Sequence, residues 1–495
     1  DLGSINNLFS RFLAAGFYYK TFMGLPPFEW GRGTGLWMQY EKLIRRAAGM
    51  GRASRSPDPD HYEHAHTHCD VLIVGGGPAG LAAATAAGQA GLDVILVEQD
   101  SLLGGSSLSF SGADHAIPEA SFLKSKGVRV MTRTTAFGLY DNAVAGLIER
   151  VTDHLESPPE YFPRQRFWTV RSRYIVLATG AIERHIAFGN NDRPGIMTAS
   201  AGRTYLNRFG ILPGEKIIVA TNNDSAYETA VELKIAGASV TLLDARTEVS
   251  VGVSKQLEGH GVELRLGYAP LEAKGTKAIR SLATALVAGQ QWREDVTEKC
   301  DLVLVSGGWS PVVNLLSHRG VRPKWNVENA CFMPDSIGEP IIVAGSAAGI
   351  WNAKKCVASG ETAGQRSVQF LSGSSETIDS PEAGGWISPI RPLYEVTVPN
   401  RKVKSFVDFQ HDVTAEDVRL AHREGYVSVE HLKRYTTLGM APDGGKMGNV
   451  IGLALMAEAL GKEIPEVGTT TFRPPYTPIS IGALSGPSIG KHFRP

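Results

Sequence analysis

The amino-acid sequence predicts an α/β protein with two Rossmann-like dinucleotide-binding domains, the second inserted in the first, followed by a small helical C-terminal unit. Three observations support this prediction. An apolar run at 69–74 leads into a glycine-rich turn and an alanine-rich helix, a similar unit begins at 216, and short apolar runs that end in small residues return later in the chain. Strands that alternate with helices in this way are typical of parallel sheets.

The first glycine-rich turn has the pattern of a pyrophosphate cradle. Gly75 permits the tight turn after the strand, Gly77 lets backbone amides approach a phosphate, and Gly80 lets the helix pack closely on the strand. The phosphates would lie over the helix N-terminus. Glu98 ends the next strand, eighteen residues after Gly80, where its carboxylate can accept hydrogen bonds from an adenosine ribose and would repel a 2′-phosphate. The pattern therefore favours NAD, FAD or an ADP-type ligand over NADP.

The second strand–turn–helix unit lacks these glycines. Thr221, Asn223 and Ala226 stand at its fingerprint positions, and Asp244 ends the strand that follows. Side chains at the first two positions obstruct the approach of a pyrophosphate to the backbone. We therefore predict that this unit has lost its ligand. In that case, hydride cannot pass between two nucleotides bound to this chain.

Later apolar runs at 170–176, 300–305 and 341–344 are assigned to the first sheet, because each leads into a turn of small residues. Thr414, followed by Glu416 and Asp417, predicts the start of a helix near the C-terminus. The predicted domains are an N-terminal extension (1–68), a discontinuous nucleotide-binding domain (69–202 and 299–370), an inserted Rossmann-like domain without ligand (203–298), a linker (371–400), a small helical domain (401–465) and a proline-rich tail (466–495).

Composition argues against several classes of function. The 495 residues are 43% hydrophobic and 20% charged, so the chain can bury several cores. Its 50 basic and 50 acidic residues balance, and neither nucleic acid nor an anionic membrane is predicted as a partner. We recognise no membrane-spanning run and no signal peptide, so a cytoplasmic location is expected. The start at Asp1, without methionine, suggests a processed or excised segment.

Cysteines and histidines give little indication of redox or metal chemistry. The four cysteines, Cys69, Cys300, Cys331 and Cys356, are far apart and form no C-x-x-C pair. A histidine-rich segment at 61–69 could hold a metal or could be a solvated linker. It lacks a second group of ligands at a typical spacing, so we favour the linker and predict no metal.

Several longer motifs are similar to the alpha subunit of heterotetrameric sarcosine oxidase, and the order of the domains resembles the flavoprotein disulfide reductases. The resemblance to the alpha subunit extends over nearly the whole chain. The matching segments are 16–23, 133–137, 180–184, 190–195, 221–227, 306–311 and 407–410.

This resemblance implies a subunit of a complex that oxidatively demethylates sarcosine to glycine, produces hydrogen peroxide and passes the one-carbon unit to tetrahydrofolate. It places FAD in a beta subunit, FMN between alpha and beta, and a tightly held NAD in the first nucleotide domain of alpha, with small gamma and delta subunits as further partners. No catalytic residue is then expected in this chain. Neither the ubiquitin-like nor the folate-binding domain of the family is recognised here, so we assign no folate chemistry to these residues.

The resemblance also carries the NAD site onto this chain. Ser346 stands where flavin enzymes of the wider superfamily usually have an aspartate, which favours NAD over FAD. The implied contacts are Gly75, Gly77, Pro78, Ala79 and Gly80 at the phosphates, Glu98 and Gln99 at the ribose, Gly104, Gly105 and Ser106 at the pyrophosphate, Ala136 at the adenine, and Thr179, Gly180, Gly345, Ser346, Ile350 and Asn352 toward the far half of the dinucleotide.

The C-terminal region leaves alternatives open. Related alpha subunits of cyanide synthases and opine oxidases hold a [2Fe-2S] cluster there through cysteines, but the segment around 444–449 contains none, which excludes thiolate ligation. Lys433, Arg434, Thr436 and Thr437, with the segment 469–477, are either donors to an FMN phosphate or an ordinary exposed basic helix and a proline-stiffened tail.

Two other functions are also considered. The first is the alpha subunit of a proline, hydroxyproline or opine dehydrogenase, which shares the fold but delivers electrons to another acceptor. The second is a free-standing NAD(P)H-dependent reductase. The missing C-x-x-C pair and the altered second fingerprint argue against the reductase.

Overall fold

The computed structural model describes residues 42, 45–46, 56, 58–110, 120–289, 291–335, 338, 340–374, 386–401 and 403–486. The chain divides into two compact units, one of Asp1–Asp60 with Ser488–Pro495 and one of His61–Pro487. Almost all described residues belong to the second unit. The motif at 16–23 lies outside the described residues, as does most of the predicted N-terminal extension.

The strands of the second unit are numbered in chain order. They are β1 (Tyr62–Val74), β2 (Val94–Val97), β3 (Val128–Met131), β4 (Thr134–Tyr140), β5 (Val144–Arg150), β6 (Gln165–Leu177), β7 (Ala181–Glu183), β8 (Ile196–Thr198), β9 (Lys216–Thr221), β10 (Ser239–Asp244), β11 (Glu263–Leu266), β12 (Tyr268–Gly275), β13 (Ile279–Ala288), β14 (Gln291–Lys299), β15 (Leu302–Ser306), β16 (Trp309–Pro311), β17 (Lys324–Asn326), β18 (Cys331–Met333), β19 (Ile341–Val343), β20 (Phe406–Asp408) and β21 (Val413–Thr414).

The helices follow the same rule, with two short 3-10 turns at Gly105–Ser109 and Gly345–Ala348. They are α1 (Pro78–Gln89), α2 (Ala120–Ser125), α3 (Ala199–Phe209), α4 (Ser225–Ile235), α5 (Val251–Ser254), α6 (Asn314–Ser317), α7 (Ala353–Ser372), α8 (Ala415–Arg423), α9 (Val429–Thr436), α10 (Asn449–Leu460), α11 (Ile464–Val467) and α12 (Ile481–Ser485).

The first sheet has the strand order β3-β2-β1-β6-β5-β4, and β19 also pairs with β6. Its central strand is apolar because both faces are covered: Val71, Leu72 and Ile73 have no exposed surface. Helices α1 and α7 pack against each other at very short range. A Cβ atom at Gly360 would lie 2.0 Å from the carbonyl oxygen of Ala79, so glycine is required for this contact.

The second sheet has the order β11-β10-β9-β15-β8, accompanied by the three-stranded antiparallel sheet β12-β13-β14. One assignment from the sequence is wrong: β15, expected in the first sheet, pairs in parallel with β9, with Leu302 opposite Ile217. The inserted domain therefore extends beyond 203–298 on both sides, because β8 also belongs to it. An apolar sequence indicates that a strand is buried, but it does not indicate to which sheet the strand belongs.

The chain passes between the two sheets along an antiparallel pair formed by β7 and β16, in which Trp309 lies opposite Glu183. The next residue, Arg184, is almost completely buried at 1% exposure. Its Nη1 atom donates to the carbonyl oxygen of Trp309 at 2.7 Å, and its Nη2 atom donates to that of Ala330 at 2.8 Å. Arg184 therefore joins the crossing strands to β18 through backbone oxygens.

The predicted N-terminal extension ends earlier than expected. Residues 62–68 form the first half of β1 and pair with β6, with Tyr62 opposite Gln165. His64, His66 and His68 are exposed at alternate positions of this strand, so the solvated linker favoured from sequence is wrong. The alternation of histidines with single small residues is typical of a half-buried strand.

The predicted linker at 371–400 is also largely wrong. Helix α7 continues to Ser372, and residues 386–400 pack on the inserted domain, with Leu393 and Val396 inside its hydrophobic core. Residues 375–385 lie outside the described part. Glycine and serine content indicated a surface crossing but not the buried anchors that follow it.

The C-terminal helical unit packs around α10, which is apolar on all sides and largely buried. Helix α8 begins at Thr414 with a capping box, as the sequence predicts, in which the Thr414 side chain accepts from the Asp417 amide and Asp417 accepts from the Thr414 amide. The tail folds back onto the first sheet, where Ala483 is fully buried against Phe137 and Ile148.

Over the described part of the chain, no helix combines the length and the apolar character needed to cross a bilayer. The same residues contain no group of three or more His, Cys, Asp or Glu side chains placed to hold a metal ion.

Candidate functional site

The turn after β1 contains two glycines that cannot be replaced without a clash, Gly75 and Gly80. Gly75 has φ +110°, and a Cβ atom there would lie 2.2 Å from the carbonyl oxygen of Ala178. A Cβ atom at Gly80 would lie 1.8 Å from the carbonyl oxygen of Gly75. Both positions therefore serve the packing of α1 against the ends of β1 and β6.

Gly77 differs from its neighbours because its missing side chain leaves space. A Cβ atom there would meet only the Cα atom of Gly105, at the ordinary contact distance of 4.0 Å. Gly77 is the N-cap of α1, Pro78 follows in the first turn, and no acidic residue lies in that turn. The helix N-terminus therefore presents amides and the positive end of the dipole beside the space left at Gly77, which we call the first cleft and which suits a phosphate.

The facing wall of the cleft comes from the loop after β2. The amide of Gly104 donates to the carbonyl oxygen of Gly76 at 2.8 Å, and Gly104 and Gly105 both have positive φ. Ser106 is exposed beside them. The two glycine turns predicted to surround a pyrophosphate are therefore in direct contact with each other.

Glu98 lies at the end of β2, 7% exposed. Its two carboxylate oxygens accept from the amides of Gly76 and Asp100, each at 2.7 Å. Each oxygen retains a second lone pair that a ribose hydroxyl can use. Sequence reasoning missed Gly76, the residue whose amide orients this carboxylate. The dinucleotide-binding motif gives no role to the residue between its first two glycines.

The residues predicted for the adenosine half lie around Glu98. The amide of Thr134, at the start of β4, donates to the carbonyl oxygen of Glu98 at 2.8 Å, which brings Ala136 on the same strand into this region. Gln99 is exposed, and its carbonyl oxygen accepts from Arg150 at 2.6 Å.

The residues predicted for the far half also come together. A Cβ atom at Gly180 would lie 3.9 Å from Ser346 Oγ, and one at Gly345 would lie 2.7 Å from the Ala79 side chain. Thr179 Oγ1 donates to the carbonyl oxygen of Val312 at 2.8 Å. These contacts connect β6, β19 and the helix α1 at one edge of the sheet, where strands of open α/β sheets bind ligands.

The last two predicted contacts have structural roles. Ile350 is buried at 4% exposure, and its carbonyl oxygen accepts from Cys356 Sγ at 3.1 Å. The Asn352 side chain caps α7 by accepting from the Lys355 amide at 3.2 Å. The backbone of Ile350 and the side chain of Asn352 therefore stabilise the start of α7, which follows the turn of Gly345 and Ser346.

Helix α3 of the inserted domain holds the loop after β2 in place. Arg208 forms a two-point ion pair with Asp100, at 2.7 and 2.9 Å. Asn207 donates to the carbonyl oxygen of Ser109 at 2.9 Å. The hydrogen bond from Arg208 lowers the pKa of Asp100 to about 2. Sequence reasoning missed this clasp because its members are about a hundred residues apart.

The corresponding turn of the second sheet is filled by side chains. Thr221 Oγ1 donates to the carbonyl oxygen of Asn223 at 2.9 Å, and Asn223 Nδ2 donates to that of Ser306 at 3.2 Å. Asp244, at the position of a ribose acid, has no exposed surface. It accepts from the Tyr227 hydroxyl at 2.8 Å and from Arg246 Nη2 at 2.7 Å.

Residues 386–398, which we call the strap, lie across this second turn. The amide of Ser388 donates to Asp224 at 2.9 Å, and the Arg391 side chain donates to the carbonyl oxygen of Ala245 at 2.6 Å. Asn222 Nδ2 in turn donates to the carbonyl oxygen of Arg391 at 2.8 Å. The strap therefore takes the backbone positions that a nucleotide would approach.

The predicted FMN donors fall in different surroundings. Lys433 and Arg434 lie in the last turn of α9, and Thr437 ends that helix with φ +65°. In the segment 469–477, the side chains of Thr469 and Tyr476 line a cavity instead. The amide of Thr471 donates to Glu430 at 2.8 Å.

The comparison with protein families decides the broader assignment. Residues 69–328 match the family model described as "Pyridine nucleotide-disulphide oxidoreductase". The chain belongs to this family. Residues 402–487 match a second model, "Sarcosine oxidase A3 domain".

Whole-chain comparisons agree with the resemblance stated from the sequence motifs, which is thereby confirmed. The chain is 43% identical to "Sarcosine oxidase subunit alpha" of Rhizobium meliloti (strain 1021), over 100% of this chain and 49% of that protein. It is 36% identical to the protein of the same name from Corynebacterium sp. (strain P-1), over 90% of this chain and 48% of that protein. The chain spans about half the length of the curated relatives it matches.

Among solved structures, L-proline dehydrogenase from P. horikoshii has a similar fold, with a TM-score of 0.63 at 21% identity, over 85% of this chain and 80% of that chain. The predicted fold class is therefore confirmed.

The four thiols of this family member are free, and three of them are buried. Burial raises the pKa of Cys69 to about 12 and that of Cys331 to about 11. At neutral pH these cysteines are protonated and weakly nucleophilic.

Proposed function

We propose that this chain is the NAD-binding alpha subunit of a multimeric, flavin-dependent sarcosine oxidase that converts sarcosine to glycine with formation of hydrogen peroxide. The observation that carries the proposal is the similarity to two sarcosine oxidase alpha subunits over 90% or more of this chain. A match to the sarcosine oxidase A3 domain at 402–487 supports it independently of the nucleotide fold.

The residues of the first cleft fit NAD. Gly77, Pro78 and Ala79 would hold the pyrophosphate at the N-terminus of α1, opposite Gly104, Gly105 and Ser106. Glu98 would accept the ribose hydroxyls, and its charge and burial disfavour a 2′-phosphate. Ser346 would face the far half, near Thr179 and Gly180.

The second turn does not fit a nucleotide. Its acid is paired with Arg246 and Tyr227, and the strap covers the backbone. A nucleotide in the first cleft would therefore have no hydride partner within this chain, and we propose that it is tightly held and does not shuttle. When bound, FAD in a beta subunit and FMN between alpha and beta would supply the amine oxidation and electron transfer.

This chain's own part in the complex would be to hold NAD, to contribute one side of an FMN pocket and to present assembly surfaces to beta, gamma and delta subunits. The C-terminal helical unit is the candidate for the FMN side, with Lys433, Arg434, Thr436 and Thr437 as phosphate donors.

The nucleotide assignment is tested by purifying the chain, denaturing it and identifying the released nucleotide by mass spectrometry. We expect NAD without flavin. Release of FAD would overturn the NAD assignment, and so would NADP. Glu98→Gln serves as the matched variant, because it keeps the shape while removing the charge that excludes a 2′-phosphate. Its NH2 group cannot accept one of the two amides that Glu98 binds, so the free energy of unfolding of the variant is measured alongside.

The activity is tested on the complex reconstituted with an FAD-bearing partner. We expect sarcosine to be consumed with equimolar peroxide. Oxidation of proline or an opine, with electrons delivered to an acceptor other than oxygen, would replace this proposal with the dehydrogenase alternative.

A further inference from the structure

A small cavity lies where three parts of the chain meet: the segment after β16, the turn before α10, and the tail. It encloses about 50 Å³, and its walls are largely apolar, with Val312, Phe332 and Leu453 among them. One water occupies roughly 10–15 Å³ on this scale, so the space matches about three to five non-hydrogen atoms. A concave, apolar space with a few polar groups is the usual form of a small-molecule site.

Asn314 contributes an unsatisfied polar atom to this cavity. The residue is 6% exposed, and its Oδ1 atom accepts no hydrogen bond from any described residue. An unpaired buried oxygen costs about 1–3 kcal/mol. A ligand that carries an N–H donor would remove this cost.

Lys446 contributes a cation to the lining of the cavity. Its ammonium lies 4.7 Å from the centre of the Tyr476 ring, and burial lowers its pKa although the charge of Asp443 acts in the other direction. Within the described residues no carboxylate forms an ion pair with it. The ammonium is therefore available to an anionic group.

A second cation lies close behind the wall. Arg184 Nη1 donates to Ser310 Oγ at 2.9 Å, and Ser310 lines the cavity. Arg184 is buried, and over the described parts of the chain its side chain contacts backbone oxygens and this hydroxyl, with no carboxylate partner. Lys446 and Arg184 therefore both favour a ligand with one negative group, and the nearby Asp443 carboxylate acts against them.

We propose that this cavity binds a small amino acid of the size of glycine, which has five non-hydrogen atoms, with its carboxylate on Lys446 and an N–H group directed at Asn314. A zwitterion satisfies both groups at once. A simple carboxylate would satisfy only Lys446, and a simple amine would meet only Asn314 and would be repelled by the two cations. The site lies outside the nucleotide cleft and does not depend on the proposed function.

The test is ligand-observed NMR saturation transfer on the full chain, with glycine, sarcosine, acetate and inorganic phosphate as probes, followed by titration to obtain Kd. We expect glycine to bind at least tenfold more tightly than acetate. Lys446→Met should abolish the signal for all carboxylates. Lys462→Met, at an exposed lysine beyond α10, is the matched control and should leave it unchanged.

Asn314→Ala provides the second variant, because it removes the acceptor and leaves the cation. We expect it to lower glycine affinity to that of acetate while acetate affinity stays the same. Melting curves establish that each variant is folded. Three results would overturn the proposal: no glycine binding at millimolar concentrations, equal glycine binding by wild type and a folded Lys446→Met, or tighter binding of phosphate than of either amino acid.

Discussion

The substitution Gly77→Ala separates the ligand-binding role of the first turn from its structural role. Gly77 has φ −77°, which any residue adopts. A Cβ atom there meets nothing closer than 4.0 Å. The small helix-capping loss and the reduced flexibility of the unfolded chain are both below about 1 kcal/mol and oppose each other. We therefore expect the free energy of unfolding to change by less than about 1 kcal/mol.

Nucleotide binding should respond very differently. The new methyl group projects into the space proposed for the pyrophosphate and holds the phosphates away from the amides of α1. Losing one charge-assisted hydrogen bond costs about 1.5–3 kcal/mol, which corresponds to a roughly 10- to 150-fold weaker Kd. Equilibrium dialysis of the stripped chain with NAD measures this change, and urea unfolding of the same sample measures stability.

Gly75→Ala is the matched control, because its Cβ atom would lie 2.2 Å from the carbonyl oxygen of Ala178. We expect this variant to lose several kcal/mol of stability or to fail to fold. If Gly77→Ala binds NAD as tightly as the wild type, the cleft at Gly77 is not the pyrophosphate site. If it destabilises the chain as much as Gly75→Ala, the open space beside Gly77 is not real.

Three further predictions concern stability. Arg208→Met removes the ion pair that lowers the pKa of Asp100 from 3.8 to about 2. Discounted for partial exposure, this pKa shift corresponds to a stabilisation of about 1–2 kcal/mol. Urea unfolding should show that loss of stability at pH 7, and the difference from wild type should shrink as the pH falls from 4 toward 2. Burial raises the pKa of Glu183, so the charged carboxylate opposes folding at a pH above the ordinary pKa of glutamate. Calorimetry should show that Glu183→Gln has a higher melting temperature than the wild type at pH 8 but not at pH 4. Burial lowers the pKa of His185 from 6.5 to about 4, so the stability that neutral His185 contributes is complete above pH 6.5 and is lost as the pH falls toward 4. His185→Gln should remove about 2 kcal/mol of the difference in unfolding free energy between pH 7 and pH 5. An unchanged dependence of stability on pH would contradict the lowered pKa of His185.

Much of the first cleft could be predicted from the sequence because its determinants are local. Gly75, Gly77 and Gly80 lie within six residues, and Glu98 follows after one helix and one strand. A positive φ or a close approach of the backbone restricts a position of this turn to glycine, so the spacing of glycines in the sequence directly indicates the geometry of the turn.

The parts that sequence did not reveal depend on contacts between distant segments. The apolar run at 302–306 is equally suited to either sheet, and only its register with β9 assigns it. The strap resembled a linker because the glycines and serines before it suggest solvent, whereas Leu393 and Val396 supply its anchors. Asp100 and Arg208 are ordinary surface residue types, so nothing in the sequence indicates that they pair.

The connections between the two sheets have a consequence for how the chain fluctuates. The crossing strands β7 and β16 and the pair Asp100–Arg208 connect the two sheets at separate places, so we expect neither sheet to open while the other stays closed. In native-state hydrogen exchange, the slowest amides of β1 and β9 are therefore expected to exchange with one shared opening free energy, as a single cooperative block. The two sheets would then fluctuate as one stiff body, and a change at the first cleft would be felt at the second turn as a change in the stability of that whole body.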